Sequence, residues 1–380
     1  MVDFSLSDEQ RALRELAHDF AEREIRPLAW RYDRDATFPR EVIEKAWAVG
    51  LMNIHVPEEL GGAGLGHLDG TLIEEEMSWG CSGFQTSIGA NSLALTPLLL
   101  AGSAGLRREW CERVVAAPLL GSFCLTEPGA GSDVAALATR AQRRGAGYTI
   151  SGSKCFITNG GHADFFTVFA KTDPDGGHRG ISCFLVPREA GVVVDAHEDK
   201  MGQRASDTAS VTFPDVEIAA DHRIGEEGEG FRIAMATLDR TRPGVAAMAT
   251  GIARAAFEFA VDYARERVQF GVPIASHQAI QFMLADMATE IEAARLLAWK
   301  SAVLVDAGER ATLVSSHAKR FAADVAMRVT TDAVQVYGGY GYIKDYPVEK
   351  LMRDAKIMQL YEGTAQIQRL VIAREILGRG

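Results

Sequence analysis

Gly147–Gly161 reads GYTISGSKCFITNGG, with β-branched and aromatic residues set among small and polar ones and glycine at both ends. This is the texture of a strand, whose side chains alternate faces. It interrupts a chain that elsewhere repeats at a helical spacing. Four more short pieces follow: ADFFTVFAKT (163–172), RGISCFLVP (179–187), GVVVDAHEDKMG (191–202) and TASVTFPDVEI (208–218). Each is bounded by Gly, Asp or Pro. Five such pieces between about Gly121 and Gly230 predict a small antiparallel barrel or sandwich.

Working outward, both flanks are helical. Before the strands, Ser7 with Gln10 makes a capping-box signal, and Leu13, Leu16, Ala17 and Phe20 follow at helical spacing. Pro39 stands where a second helix would begin and Gly50 where it would stop. VPEELGGAGLG (56–66) reads as a loop and LDGTLIEEEMSWG (68–80) as helix. After the strands, Ile280, Leu284, Met287, Ile291 and Ala294 keep one apolar stripe, and Phe321, Val325, Val329 and Val336 another. Breaks fall at FGVPIASHQ (270–278), VDAGERA (305–311) and YGGYGYIKDYP (337–347), the pattern of a four-helix bundle with short connections. The expected architecture is α+β and multidomain: a helical domain at 1–120, a β-domain at 121–230 and a four-helix bundle at 231–380.

Composition limits the partners. Of 380 residues, 47% are hydrophobic and 24% charged, as in ordinary globular proteins. A net charge of −11 lacks the basic footprint that nucleic acid requires. No apolar run reaches the length of a membrane span. The N-terminal segment MVDFSLSDEQRALREL is acidic and amphipathic, unlike a signal peptide or an import leader. Five cysteines at 81, 111, 124, 155 and 183 form no CxxC pair, which argues against a disulfide framework or zinc and for a reducing cytoplasm.

Few stretches carry chemistry on their own. GGAGLG (61–66) does not fit a dinucleotide fingerprint, and GEEGEG (225–230) would repel phosphate. TEPGAGSD (126–133) combines exposed backbone donors with the hydroxyls of Thr126 and Ser132. It reads either as an anion cradle or as a plain turn. In KCFITNGG (154–161), Phe156 and Thr158 share a strand face, which suits a flat heterocycle or an ordinary core. TLDRTRPG (237–244) brings Asp239, Arg240 and Arg242 onto a helix, and Arg265, Arg267 and His277 surround Phe270-Gly271. In LYEGTAQIQR (360–369), Glu362-Gly363 breaks a helical run. A solvated loop or a catalytic base would each account for it.

Taken together and in order, these stretches resemble the acyl-CoA dehydrogenase family, most closely its medium-chain branch. The resemblance runs through CLTEPGAGSD, KCFITNGG, KMGQRASDT, LDRTRP, RVQFG with HQAIQFMLADM, QVYGGYGY, YPVEKLMRDAKI and YEGTAQIQRLVIARE. It implies one FAD per subunit and a homotetramer built as a dimer of dimers. It further implies an acyl-CoA substrate oxidised to the trans-2-enoyl-CoA, and an electron-transfer flavoprotein as acceptor. No metal site, nucleic-acid partner or membrane span is implied.

The resemblance also assigns residues. Phe123, Leu125, Thr126, Gly131 and Ser132 would line the flavin, with Ser132 also near the substrate. Phe156, Ile157 and Thr158 would lie against its ring system. Arg267, Phe270, His277 and Gln278, with Gln335, Val336, Gly338 and Gly339, would reach the FAD of a neighbouring subunit. Thr364 and Gln366 would help close the cofactor site. Asp239, Thr241, Arg242 and Arg374 would contact the acyl-CoA, along with Tyr361, Glu362 and Gly363. Glu362 would be the base that takes the α-proton, with its own backbone N–H holding the thioester oxygen.

Some positions depart from the family pattern. Phe156 stands where many members have tryptophan, and Phe123 where close relatives have tyrosine. Thr241 occupies the place from which branched-chain and long-chain members supply their base, and threonine cannot serve. Gly89 falls where the acyl pocket ends. Leu65 lies on a loop that could dock the electron acceptor. Same-fold oxidases or monooxygenases using O2, and dehydrogenases acting on acyl carrier protein thioesters, are the alternative readings.

Overall fold

The structure is a computed structural model that describes residues 4–378; the first three residues of the N-terminal segment discussed above lie outside it. Ser7 caps α1 (Asp8–Phe20) through the expected reciprocal box: its Oγ accepts from the Gln10 amide, and the Gln10 side chain accepts from the Ser7 amide. A π-helical turn, Ala21–Ile25, joins α1 to α2 (Arg26–Asp35). Pro39 therefore precedes the third helix, α3 (Arg40–Ala48), rather than the second. Gly50, at φ 79°, lies just beyond its end. The long α4 (His67–Ala101) is kinked at Cys81, and α5 (Ala104–Ala116) completes the N-terminal helices.

The strand region holds β1 (Gly121–Cys124), β2 (Arg140–Arg144), β3 (Gly147–Thr158), β4 (Phe165–Lys171), β5 (Ile181–Pro187), β6 (Val193–His197), β7 (Thr208–Ala219) and β8 (Arg223–Ile224). They form one sheet in the order β6-β7-β3-β2-β4-β5-β8, with β1 beside β4. Most pairs are antiparallel, as expected. However, β1 and β2 each pair with β4 in parallel, so the sheet is mixed. Alternation along a strand reports which face is buried but not which strand lies alongside. A further feature is the bulge in β3 between Lys154 and Ile157, where one extra residue enters opposite β7. It leaves Phe156 in the left-handed region at φ 58°.

The C-terminal part contains α6 (Gly230–Glu266), the hairpin β9 (Val268–Gln269) and β10 (Val272–Pro273), α7 (Gln278–Asp306), α8 (Thr312–Tyr337), α9 (Val348–Met358) and α10 (Ala365–Leu377). Helix α6 lies at the centre, packed against α4, α7 and α8. Small residues make this possible. A side chain at Gly251 would begin 2.2 Å from the Glu75 carbonyl oxygen of α4. Contrary to the expectation that no apolar run reaches membrane length, α6 is long and apolar enough to cross a membrane, but 67% of its most apolar stretch is buried in the protein, as in a core helix. A second core joins α4 and α5 to the sheet, where Trp110 meets Phe165 at 5.1 Å. Burying side chains of this size stabilises by about 1.5–3 kcal/mol each.

Candidate active site

The loop between α9 and α10 sets the key carboxylate. Glu362 and Gly363 take φ values of 51° and 88°. A left-handed conformation is strained for glutamate and is tolerated where surrounding contacts over-determine it. Those contacts are present. Gln368 Nε2 donates to the Glu362 and Gly363 carbonyls at 3.2 and 3.1 Å, and Lys319 Nζ donates to the Gly363 carbonyl at 2.7 Å. A Cβ on Gly363 would lie 2.6 Å from Gln368 Nε2, so this position needs glycine for both φ and space. Thr364 caps α10, its Oγ1 accepting from the Ile367 amide.

The Glu362 side chain enters a cavity of about 270 Å³ between α4, α6 and the sheet. Thr241 Oγ1, on α6, donates to its Oε2 at 2.7 Å. Burial raises the Glu362 pKa above the usual carboxylate value; Thr241, Arg242 and Lys319 oppose that rise. Arg242 is buried and paired with Asp239 at 2.6 Å. Asp239 is held in turn by Thr312 Oγ1 at 2.6 Å. Lys319 is fully buried, and desolvation brings its pKa down to about 7. Tyr361 also lines the cavity, and its hydroxyl donates to Met358 Sδ.

The opposite wall comes from the sheet. Phe123, Leu125, Thr126, Gly131, Ser132, Phe156 and Thr158 all line the cavity. Buried Lys154 anchors this wall, donating to the Leu125 and Phe169 carbonyls and to Glu127 at 2.7 Å. Glu127 also accepts from the Ala138 and Thr139 amides, which pins the loop that carries Thr126–Asp133. Phe156 is 65% exposed, presenting an aromatic face at the cavity. The hydroxyls of Thr126, Ser132 and Thr158 donate to no protein group among the described residues. Nothing lies within 4 Å of a Cβ built on Gly129 or Gly131. An exposed ring, three free hydroxyls and an open glycine cradle fit a flavin with its phosphates.

Not every assigned residue reaches this cavity. Ile157 lies in the sheet core, 2% exposed, so its side chain points away from any cofactor. The bulge moves Phe156 out and leaves Ile157 in. Asp239 does not line the cavity and acts on it through Arg242. Thr364 spends its hydroxyl on the helix cap, while Gln366 and Arg374 sit exposed on α10 outside the lining. Gly89 lines the cavity from α4, but Leu65 does not.

A second groove, sharing no lining residue with the first, contains Arg267, Val336, Gly338 and Gly339. The Arg267 guanidinium lies over Tyr340, 5.3 Å from the ring centre. Phe270, at the tip of the β9–β10 hairpin, is 94% exposed and edge-on to His277. His277 Nε2 is buried and has no partner among the described residues. Gln278 and Gln335 are exposed nearby in the chain.

Two groups escaped the sequence reading. Lys319 lies on α8 with no local motif to mark it. Glu74 lies in a run of three glutamates on an otherwise apolar helix, and that run was the available signal. Glu75 is paired with Arg254 and Arg295, and Glu76 with Arg254 and His18. Glu74 has no such partner among the described residues, and it lines the cavity.

Comparison with known proteins places these features in context. Three family models cover the chain: the N-terminal domain of acyl-CoA dehydrogenase over residues 7–117, the middle domain over 122–216 and the C-terminal domain over 228–377. An acyl-CoA dehydrogenase of Bacillus subtilis (strain 168) is 45% identical over 98% of this chain and 99% of its own. A probable medium-chain specific mitochondrial enzyme of Caenorhabditis briggsae is 42% identical over 99% of this chain and 92% of its own. The butyryl-CoA dehydrogenase structure from Megasphaera elsdenii superposes with a TM-score of 0.97 at 43% identity, covering 99% of this chain and all of that one.

Proposed function

The chain belongs to the acyl-CoA dehydrogenase family, and from that premise we propose that it oxidises a saturated acyl-CoA to the trans-2-enoyl-CoA with Glu362 as base. The observation that carries this reading is the placement of Glu362. Its carboxylate sits in the cavity on Thr241, facing a wall built of an exposed aromatic ring and unpaired hydroxyls.

An α C–H of a thioester is a weak acid, so the base and the oxygen stabiliser must act together. Glu362 takes the α-proton. Its backbone N–H, free of any protein acceptor among the described residues, would donate to the thioester oxygen as enolate charge develops; one such donor is typically worth about 3 kcal/mol. Arg242 and Lys319 oppose the rise that burial imposes on the Glu362 pKa. An acyl chain that fills the cavity expels water and makes Glu362 a stronger base. FAD, held by Phe123, Thr126, Ser132, Phe156 and Thr158, would supply the acceptor for the β-hydride. An electron-transfer flavoprotein would take the electrons onward.

The second groove supports an assembled form. Arg267, Phe270 and His277 present an exposed ring and an orphaned buried nitrogen, as expected of a surface completed by a neighbouring copy and its cofactor. The free, buried cysteines suit a reducing cytoplasm.

Anaerobic titration with saturated acyl-CoAs, short to long and branched, tests the proposal. Loss of flavin absorbance at about 450 nm with one chain-length class is the expected result. Slow reoxidation in air afterwards separates a dehydrogenase from an oxidase. FAD-loaded protein that no acyl-CoA bleaches would overturn the assignment.

A further inference from the structure

Along α6, Met235 and Leu238 precede Thr241 on the cavity wall, and Gly244, Val245 and Met248 follow it. Met235 packs with the Phe123–Val134 side, whereas Val245 and Met248 belong to the interhelical core. The stretch beyond Thr241 is thus the deep end, where an acyl tail would lie. Glu74 stands at this end. Its Oε2 would be only 2.1 Å from a Cβ on Gly244, so its side chain occupies space that exists because position 244 has no side chain. Thr241 and Gly244 are one helical turn apart, a Cβ spacing of about 5–6 Å. The two carboxyls therefore face the same cavity about one turn from each other.

Nothing among the described residues satisfies Glu74. It accepts no hydrogen bond and meets no cation among the described residues, unlike Glu75 and Glu76 on the same helix. His55 and His67 line the cavity too, but each is tied through Nδ1, to the Leu65 carbonyl and to Asp306. Burial, then the nearby Glu362, push the Glu74 pKa up to about 8. A plain alkyl chain would strip water from this carboxyl and return nothing, a cost typical of an unsatisfied buried polar group. An acyl group ending in a carboxylate would bring a negative group next to Glu362, and Glu74 could match it only while protonated.

We propose that Glu74 is a specificity-determining residue, selecting acyl thioesters that carry a hydrogen-bond donor, a hydroxyl or an amino group, on the acyl chain beyond the reacting carbons. A carboxyl accepts a hydrogen bond in either protonation state but donates in only one. A donor on the substrate is therefore matched whether Glu74 is charged or not. The inference rests on the acyl-thioester reading of the cavity and deepens it.

The test uses FAD-loaded Glu362→Gln protein, which permits binding without turnover, with and without Glu74→Leu or Glu74→Gln. Calorimetry compares CoA thioesters of equal chain length that differ by one hydroxyl or amino group at the γ- or δ-carbon. With Glu74 present, the protic thioester of a pair is expected to bind about 10²-fold tighter, less than the roughly 10⁴–10⁵ reached by sites fully built to hydrogen-bond their substrate. Glu74→Leu is expected to reverse the order, and Glu74→Gln to keep a reduced preference. Equal binding of each pair, or a preference that survives Glu74→Leu, overturns the proposal. Flavin bleaching of the wild-type protein is read separately. Selective binding without bleaching would overturn the dehydrogenase reading and leave Glu74 as the selector. Bleaching with no selectivity would do the reverse, and absence of all binding would overturn both.

Discussion

Glu362 is surrounded by groups that oppose the pKa rise from its burial, a balance that suits the role of base proposed for it. Thr241 donates to it, while Arg242 and Lys319 lie close enough to favour its ionised form. Glu362→Gln removes the proposed base while keeping the shape, so turnover is expected to fall by about 10²–10⁴-fold with FAD content unchanged. Stopped-flow flavin reduction checks this, and near-normal rates would place the base elsewhere. Glu74 makes a different prediction, on stability. Its folded pKa of about 8 exceeds the ordinary 4.5, so the folded protein binds more protons than the unfolded chain between those values. Its contribution is fully present below about pH 4.5 and is lost as the pH climbs towards 8. The melting temperature of the wild type relative to Glu74→Gln is therefore expected to decline from pH 5 to pH 8. Lys319, whose folded pKa near 7 is depressed, acts in the opposite sense at higher pH, but it is common to both proteins and cancels in the comparison.

At the scale of elements, the site depends on α4 and α6 lying almost backbone to backbone. Any side chain at Gly251 must push α4 away, since a Cβ there would be 2.2 Å from the Glu75 carbonyl oxygen and 3.0 Å from the Trp79 amide. Gly251→Ala is expected to destabilise by about 1–3 kcal/mol, the usual cost of overpacking. Denaturant unfolding monitored by circular dichroism measures it. On the sheet side, Lys154→Met would leave Glu127 buried without its cation. A loss of about 3–5 kcal/mol is expected, along with weaker FAD retention as the Thr126–Asp133 loop is released. These dependences also explain what was legible in the sequence. The helical and strand periods mark α1, α4, α7, α8 and β3 to β7 because they reflect burial, which is local in sequence. Glu362-Gly363 stands out because it breaks a helical pattern. The parallel pairings of β1 and β2 with β4, the bulge that exposes Phe156 and buries Ile157, and the Lys319–Gly363 contact all depend on distant chain. No window of sequence contains both partners.

Across the whole molecule, the proposed assembly links two surfaces that are separate within one chain. The main cavity contains Glu362 and most of the residues proposed to line the flavin, but the groove of Arg267, Tyr340 and Gly338 shares no residue with it. Phe270, almost fully exposed at a hairpin tip, costs solubility in a lone chain and makes sense against a partner. If the groove completes a neighbour's cofactor site, FAD binding and association are thermodynamically linked: each stabilises the state that the other needs. Phe270→Ser should then lower FAD occupancy and assembled mass together, although the cavity around Glu362 is untouched. Size-exclusion chromatography with light scattering, run on a dilution series with flavin absorbance recorded, reads both quantities at once. Added FAD should shift the variant back towards the larger species. Full FAD occupancy in a variant that elutes as a single chain would show that one subunit holds its cofactor unaided, and the groove would lose the role proposed for it.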